Sequence, residues 1–215
     1  MPDAYFTNGM SRNYTDSDVP FSGRQRYGRT QWDHFRDQPP LAERNMAFRN
    51  SGDLRFDDVS EEWGLDKNGM SYSAAYGDLD GDGDQDLVVA NLDGPVSIYR
   101  NEATGNWLNV RLRGSGSNRH GIGAIVRLST ESHGTLTRMA NPWTGWASTN
   151  GSDLHFGLGD DEQVNSIEVI WPGNRVQRLG ATKANQLLVI EESAELEDRT
   201  TRPEANFTDA SGKVG

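Results

Sequence analysis

Five aspartates alternate with other residues between Asp78 and Asp86, in the segment DLDGDGDQD. Ca²⁺ is a hard cation that takes about six to eight oxygen ligands. Carboxylates at alternate positions of a tight loop can turn inward together, and Gly83 permits the sharp bend that brings the loop ends together. By analogy with loops of this type, we expect Asp78, Asp80, Asp82 and Asp86 to supply carboxylates and Asp84 to supply its main-chain carbonyl.

The alternatives to a calcium site are an acidic turn that holds no ion and a site for Mg²⁺. Carboxylates this close repel one another strongly without a cation, which disfavours the bare turn. Mg²⁺ demands tighter octahedral geometry and keeps its waters. A helix-loop-helix calcium site would need a bidentate Glu at the position of Val89, which lies in an apolar, strand-like run. The loop is therefore predicted to join two β-strands.

The flanking residues predict short antiparallel strands on either side of this loop. Residues 72–76 precede it, the apolar run Leu87 to Ala90 follows it, and a turn at Asp93-Gly94-Pro95 leads to a third strand at 96–99. Three strands of this length make most of one propeller blade.

The following residues, 106–192, are predicted to form an antiparallel β-sandwich. Ile167, Val169 and Trp171 stand at every second position and so share one face of a strand. Turn-forming residues separate seven such strands, a spacing typical of sandwiches. The predicted strands are residues 107–113, 122–129, 136–140, 154–157, 166–171, 175–179 and 186–191. The predicted fold class is all-β, with one or more partial propeller blades plus this sandwich.

Composition excludes several classes of protein. The net charge of −11 is a poor match for nucleic acid and for anionic membrane surfaces. The chain has no cysteine, which excludes disulfides, cysteine-based zinc sites and cysteine nucleophiles. No apolar run is long enough for a membrane span, and the polar start of the chain does not look like a signal peptide.

The sequence lacks the common catalytic patterns, and we therefore expect that the protein is not an enzyme. The four histidines do not form a metal-protease pattern, and the nucleophile-elbow, phosphate-loop and dinucleotide-binding patterns are all missing from the sequence. Trp143 and Trp146, in NPWTGWAS, are candidates for ligand binding because aromatic rings on loops can stack on sugar rings. The alternative is that both indoles cap the sandwich core.

Two stretches resemble known families. GDLDGDGDQDLVVANLDGPVSIYRN resembles the FG-GAP/VCBS repeat, a blade of calcium-binding β-propellers. WLNVRLRG, SNRHGIGAIVRL, LHFGLGD, IEVIWPGNRVQRL and ANQLLVIEE resemble the ASPIC/UnbV domain. We therefore expect an irregular arm and the end of a preceding blade at 1–46, an FG-GAP/VCBS repeat at 47–105, an ASPIC/UnbV-like β-sandwich at 106–192, and a linker with the start of a further repeat at 193–215.

The resemblance implies secretion or display on a cell surface, and the expected function is a non-catalytic, calcium-binding structural, interaction or adhesion module. A propeller needs several blades, so the chain is expected to be part of a larger propeller or assembly. The expected partner is a protein, a glycan or another copy of the chain paired through strand edges. The alternatives are a carbohydrate-binding accessory domain of a polysaccharide-uptake or adhesion protein, and an accessory protein or enzyme of a biosynthetic pathway.

Overall fold

β-strands are the only regular elements in the part of the chain that the structure describes, a computed structural model covering residues 2–9, 12, 40–92, 94–194 and 196–198. The predicted all-β class is confirmed. The strands are β1 (Ala4–Phe6), β2 (Glu43–Arg44), β3 (Met46–Gly52), β4 (Arg55–Asp58), β5 (Asn68–Gly69), β6 (Ser71–Gly77), β7 (Asp86–Asn91), β8 (Ser97–Tyr99), β9 (Asn106–Arg113), β10 (Ile125–Thr130), β11 (Gly134–Met139), β12 (Leu154–Gly159), β13 (Gln163–Val164), β14 (Ser166–Trp171), β15 (Arg175–Leu179), β16 (Thr182–Lys183), β17 (Gln186–Glu191) and β18 (Glu197–Asp198).

The strands belong to two compact units. The first contains the described residues up to Asp80, together with Gln85–Asn101 and Trp143–Gly151. The second contains Gly81–Asp84, Glu102–Pro142 and the described residues from Ser152 onward. Most of the predicted arm, and the predicted start of a further repeat, lie outside the described residues.

The first unit is built from small antiparallel sheets. β6, β7 and β8 form one three-stranded sheet in that order, which is the hairpin-and-strand arrangement predicted around the aspartate loop. β1, β3 and β4 form a second, in which Ala4–Phe6 pairs with β3. In the β6-β7-β8 sheet, β6 is an edge strand because it pairs only with β7 among the described strands.

The second unit holds the largest apolar core. Its sheets have the orders β11-β10-β14-β15-β18 and β12-β9-β17, with a small β13-β16 pair. Val126 and Leu128 on β10, and Ile167 and Val169 on β14, are almost fully buried because alternate residues of paired strands face the same side. Each such side chain contributes about 1.5–3 kcal/mol by leaving water.

One pairing differs from the predicted antiparallel sandwich. β9 and β17 are parallel neighbours, with Leu108 opposite Gln186 and Arg113 opposite Glu191. A parallel pair needs a long crossover connection, and the strands between β9 and β17 supply one. Sequence alternation identifies a strand and its buried face, but it is the same for parallel and antiparallel partners.

The described residues include no helix long and apolar enough to span a membrane.

Candidate metal centre

The aspartate-rich loop joins β6 to β7. Gly77 ends β6 and pairs with Asp86, the first residue of β7, so the loop begins and ends at the closed end of a hairpin. This pairing holds Asp78 and Asp86 at neighbouring strand ends. The predicted strand–loop–strand setting is therefore the one the structure shows.

Two glycines allow the loop to reverse direction. Gly81 and Gly83 have φ angles of +81° and +98°, a region that residues with a side chain rarely adopt. Gly83 also lies under the indole of Trp107, on β9. A Cβ atom at Gly83 would lie 1.8 Å from Cε2 of Trp107, so no larger residue fits there without displacing the ring. Gly83 thus serves both the turn and the packing of the indole.

The carboxylate of Asp86 binds one main-chain amide in the loop and one after β8. Asp86 is 2% exposed, and its Oδ2 accepts a hydrogen bond from the Leu79 amide at 2.9 Å. Its Oδ1 accepts one from the Asn101 amide, also at 2.9 Å. Asp84 plays a similar part, because its Oδ2 accepts a hydrogen bond from the amide of Ala103 at 2.9 Å. Hydrogen bonds from amides to carboxylates are among the stronger ones in proteins, so Asp84 and Asp86 hold the loop in a fixed conformation.

The carboxylates of Asp78, Asp80 and Asp82 come together. One oxygen from each lies within 4.8 Å of the others. Calcium–oxygen distances are about 2.4 Å, so two ligands on opposite sides of the ion lie about 4.8 Å apart. The three oxygens are thus close enough to surround one Ca²⁺ ion, and all are hard donors of the kind that it prefers. Of the five predicted ligands, the structure groups these three and gives the carboxylates of Asp84 and Asp86 main-chain amide partners.

A positive side chain also approaches this cluster. Nε of Arg100 lies 2.9 Å from Oδ2 of Asp80, and both side chains are substantially exposed. The guanidinium offsets only part of the charge of the three carboxylates, which leaves the cluster net negative. An exposed ion pair is worth about 0–1 kcal/mol, so Arg100 is a weak competitor for Asp80.

The two predicted ligand-binding tryptophans lie on another loop of the first unit. Trp143 is 58% exposed and Trp146 is 75% exposed. Neither belongs to the buried core cluster, so the alternative that both indoles cap the sandwich core is wrong. The structure leaves much of both rings exposed to solvent.

Comparison with known protein families matches most of the described chain. The family described as FG-GAP-like repeat matches residues 41–89 and 78–127, and the family described as ASPIC and UnbV matches residues 114–197. The chain carries FG-GAP-like repeats followed by an ASPIC/UnbV domain. The two FG-GAP-like matches overlap at residues 78–89, which hold the aspartate loop and most of β7.

Curated relatives contain the same region. The chain is 32% identical to cartilage acidic protein 1 of Mus musculus over 152 residues, which is 66% of this chain and 23% of that protein. It is 32% identical to the Homo sapiens protein over 152 residues, covering 66% of this chain and 22% of the relative. The chain therefore spans less than a quarter of the length of these relatives.

Two residues at the FG-GAP-like loop were missed by sequence reasoning. Trp107 covers Gly83, and Arg100 pairs with Asp80. Both follow the loop in the chain by more than ten residues, and neither is part of the aspartate pattern. An arginine directly after a strand and a tryptophan at the start of the next one are common, so no local pattern marks them.

Proposed function

We propose that the chain is a non-catalytic, calcium-binding structural and interaction module of an extracellular protein. The observation that carries the proposal is the grouping of Asp78, Asp80 and Asp82 within 4.8 Å in a loop built on two left-handed glycines. FG-GAP-like repeats are generally calcium-binding, and the loop lies within both repeat matches. The donor set and its spacing fit Ca²⁺ better than they fit a softer metal.

Asp78, Asp80 and Asp82 would hold the ion, and the main-chain carbonyl of Asp84 would add a further oxygen. The bound ion would supply positive charge that offsets the repulsion between the carboxylates. Asp86 acts differently, because its buried carboxylate already holds the amides of Leu79 and Asn101 in place. It would preorganise the loop and could share an oxygen lone pair with the ion. Calcium would thereby stabilise the closed end of the β6–β7 hairpin.

The proposed role is structural because of the groups that the loop's carboxylates contact. The carboxylates meet a guanidinium and main-chain amides, which are suited to charge balance and order. The extracellular setting rests on the relationship to cartilage acidic protein 1 and on the two domain families. Its partner would be a protein, a glycan or a second copy of the chain.

The test is thermal unfolding of chelator-treated protein with CaCl₂ or MgCl₂ at equal ionic strength. Loops of extracellular modules bind Ca²⁺ with a Kd of roughly 10⁻⁴–10⁻³ M. At 1 mM Ca²⁺ this stabilises the folded state by about 0.4–1.4 kcal/mol. For a protein of this size the melting temperature should rise by about 1–5 °C.

Matched variants separate binding from general charge effects. Asp82→Asn removes one charge from the cluster and keeps an oxygen to accept the bond from the Asp84 amide. Asp160→Asn removes one charge from an exposed position outside the cluster. Asp82→Asn should lose the calcium-induced rise, whereas Asp160→Asn should keep it. An equal rise with Mg²⁺, an equal loss in both variants, or no rise in the wild type would each overturn the proposal.

A further inference from the structure

Exposed aromatic side chains form a surface in the first unit that the calcium loop does not explain. Tyr72 on β6, and Trp143 and Trp146 on the loop before β12, are 37%, 58% and 75% exposed. We call these three residues the aromatic platform. The indole N–H of Trp146 donates a hydrogen bond to the hydroxyl of Tyr72 at 3.1 Å, which ties the loop side of the platform to the strand side.

The loop that carries the indoles is held against β6, an edge strand of its sheet among the described residues. Asn150 is 7% exposed, and its Oδ1 accepts a hydrogen bond from the Tyr76 amide at 3.0 Å. Its side-chain amide donates to the hydroxyl of Thr144. Between these anchors Ala147 has a φ of +50°, a left-handed conformation that a residue with a side chain rarely adopts. The indoles are thus presented on an anchored loop, which lowers the entropy lost on binding a ligand.

The chemistry of the loop selects a neutral ligand. Residues 141–152 read NPWTGWASTNGS and contain no charged side chain, although a quarter of the chain is charged and the net charge is −11. A phosphate, a sulfate or a carboxylate would find no cation in this segment, and a cationic ligand would find no anion. The aromatic faces carry partial negative charge and attract weakly positive C–H groups.

The polar groups beside the rings select a ligand rich in hydroxyls. Thr144 and Thr149 are exposed on the same loop, and Tyr72 can donate its own hydroxyl proton while accepting from Trp146. The segment has no aliphatic side chain larger than those of Ala147 and Pro142. Residues 141–152 contain no arginine or methionine, which are enriched at protein interfaces together with aromatic residues. A sugar ring offers a C–H face for stacking and hydroxyls at its rim.

We propose that the aromatic platform binds neutral pyranose units of a glycan. The proposal names a partner for the interaction module proposed above, and it does not require an occupied calcium loop. The aromatic rings would stack on sugar faces, while the threonine and tyrosine hydroxyls would set the orientation of the ring. Stacking on two separate indoles favours a chain of at least two sugar units over a single monosaccharide.

The test is native affinity electrophoresis of the full chain through gels that contain a soluble polysaccharide. The neutral probes are laminarin, galactomannan, xyloglucan and dextran, and the acidic comparators are alginate and heparin. At least one neutral probe should retard the protein. Trp146→Ala and Trp143→Ala should each weaken the apparent affinity about tenfold or more, because one lost stacking contact is worth about 1.4 kcal/mol.

Trp63→Ala is the matched control. Trp63 is a partly exposed tryptophan of the same unit, and it packs against the Arg49 guanidinium 5.2 Å from the ring centroid. This variant should be retarded like the wild type. The Trp143 and Trp146 variants should keep the circular dichroism spectrum and the cooperative thermal unfolding of the wild type in chelator, which shows that they are folded and keeps this test separate from the test of the calcium site.

Four outcomes would overturn the proposal. No neutral probe retards the protein; or retardation survives in the double Trp143→Ala/Trp146→Ala variant; or Trp63→Ala loses it equally; or only the acidic probes retard the protein, in a salt-dependent manner. If the double variant instead lost self-association in sedimentation experiments without any polysaccharide effect, the surface would be a protein interface and the glycan proposal would be wrong.

Discussion

Gly83→Ala tests whether the calcium loop is shaped by packing as well as by backbone conformation. The new methyl group would lie 1.8 Å from Cε2 and 2.1 Å from Nε1 of Trp107. It would also place a side chain at a φ of +98°. The left-handed conformation costs about 1–2 kcal/mol, and overpacking of this kind costs about 1–3 kcal/mol. We expect a total loss of about 2–5 kcal/mol in the free energy of unfolding.

Gly81→Ala is the matched control for the backbone term. Gly81 has a φ of +81°, and a Cβ atom there would meet no other atom within 4 Å. This variant should therefore lose only the conformational part, about 1–2 kcal/mol. The difference between the two variants isolates the contact with Trp107. Both lie in the same loop, so their effects on calcium affinity can be compared directly.

The assay is urea unfolding followed by circular dichroism, in chelator and in 10 mM CaCl₂ (about a saturating concentration for a site of this class). The decisive comparison is Gly83→Ala made in a Trp107→Ala background. Removing the indole removes the clash, so the cost of Gly83→Ala should fall to that of Gly81→Ala. The coupling energy between the two positions should be about 1–3 kcal/mol.

Two results would refute this reasoning. If Gly81→Ala and Gly83→Ala are equally destabilising, then Trp107 moves aside at no cost and the packing argument fails. If Gly83→Ala remains more costly than Gly81→Ala after Trp107 is removed, then the extra cost arises elsewhere in the loop. The first result would leave the left-handed conformation as the sole reason for glycine at this position, and the second would show a further constraint that does not involve Trp107.

Three further predictions concern the rest of the chain. Asn150→Ala removes the loop's anchor to β6 and leaves the partly buried Tyr76 amide without its side-chain acceptor. The free energy of unfolding should therefore fall by about 1–3 kcal/mol in urea titrations, and a loss below about 0.5 kcal/mol, roughly the error of such a titration, would contradict the role of Asn150 as an anchor. The Ser115 amide and hydroxyl hold the pKa of Glu192 below its usual value. The stabilising effect of Glu192 is therefore complete above its pKa in the unfolded chain and is lost as pH falls through its pKa in the folded chain. Glu192→Gln should flatten the decline of the free energy of unfolding below about pH 4.5, and an unchanged decline would contradict this role of Glu192. Gln177→Leu removes the acceptor of the buried Trp171 indole N–H, a bond of 3.0 Å, and should cost about 1–3 kcal/mol, whereas unchanged thermal stability would show that the indole finds another acceptor.

The features predicted correctly from sequence depend on residues close together in the chain. Alternating carboxylates and two glycines define the aspartate loop without help from other elements, so its position between strands followed from residues 71–91 alone. The alternation of Ile167, Val169 and Trp171 likewise identified the buried face of β14, and all three are at most 2% exposed. Strand ends were less accurate: the strand predicted from Ile122 begins at Ile125, because Gly121 and Gly123 adopt positive φ angles.

The features that sequence could not supply all join distant residues. Asn150 anchors its loop to Tyr76, 74 residues earlier, and nothing in the sequence TNGS distinguishes it from a turn asparagine. Trp107 reaches back to Gly83. The parallel alignment of β9 with β17 depends on how every strand between them is placed. The packing of the whole unit determines which strands pair and in which direction, since each strand has the same alternation with any neighbour.

The parallel β9–β17 pair also determines how the second unit would respond to mechanical tension along the chain. The chain enters β9 at Asn106 and leaves β17 at Glu191, so the two attachment points lie at opposite ends of neighbouring strands. Pulling them apart would slide one strand along the other. The ladder from Leu108–Gln186 to Arg113–Glu191 would then be loaded all at once, rather than opened one hydrogen bond at a time as when a hairpin is pulled from its open end. The β9–β17 pair is therefore loaded in shear when tension is applied at Asn106 and Glu191.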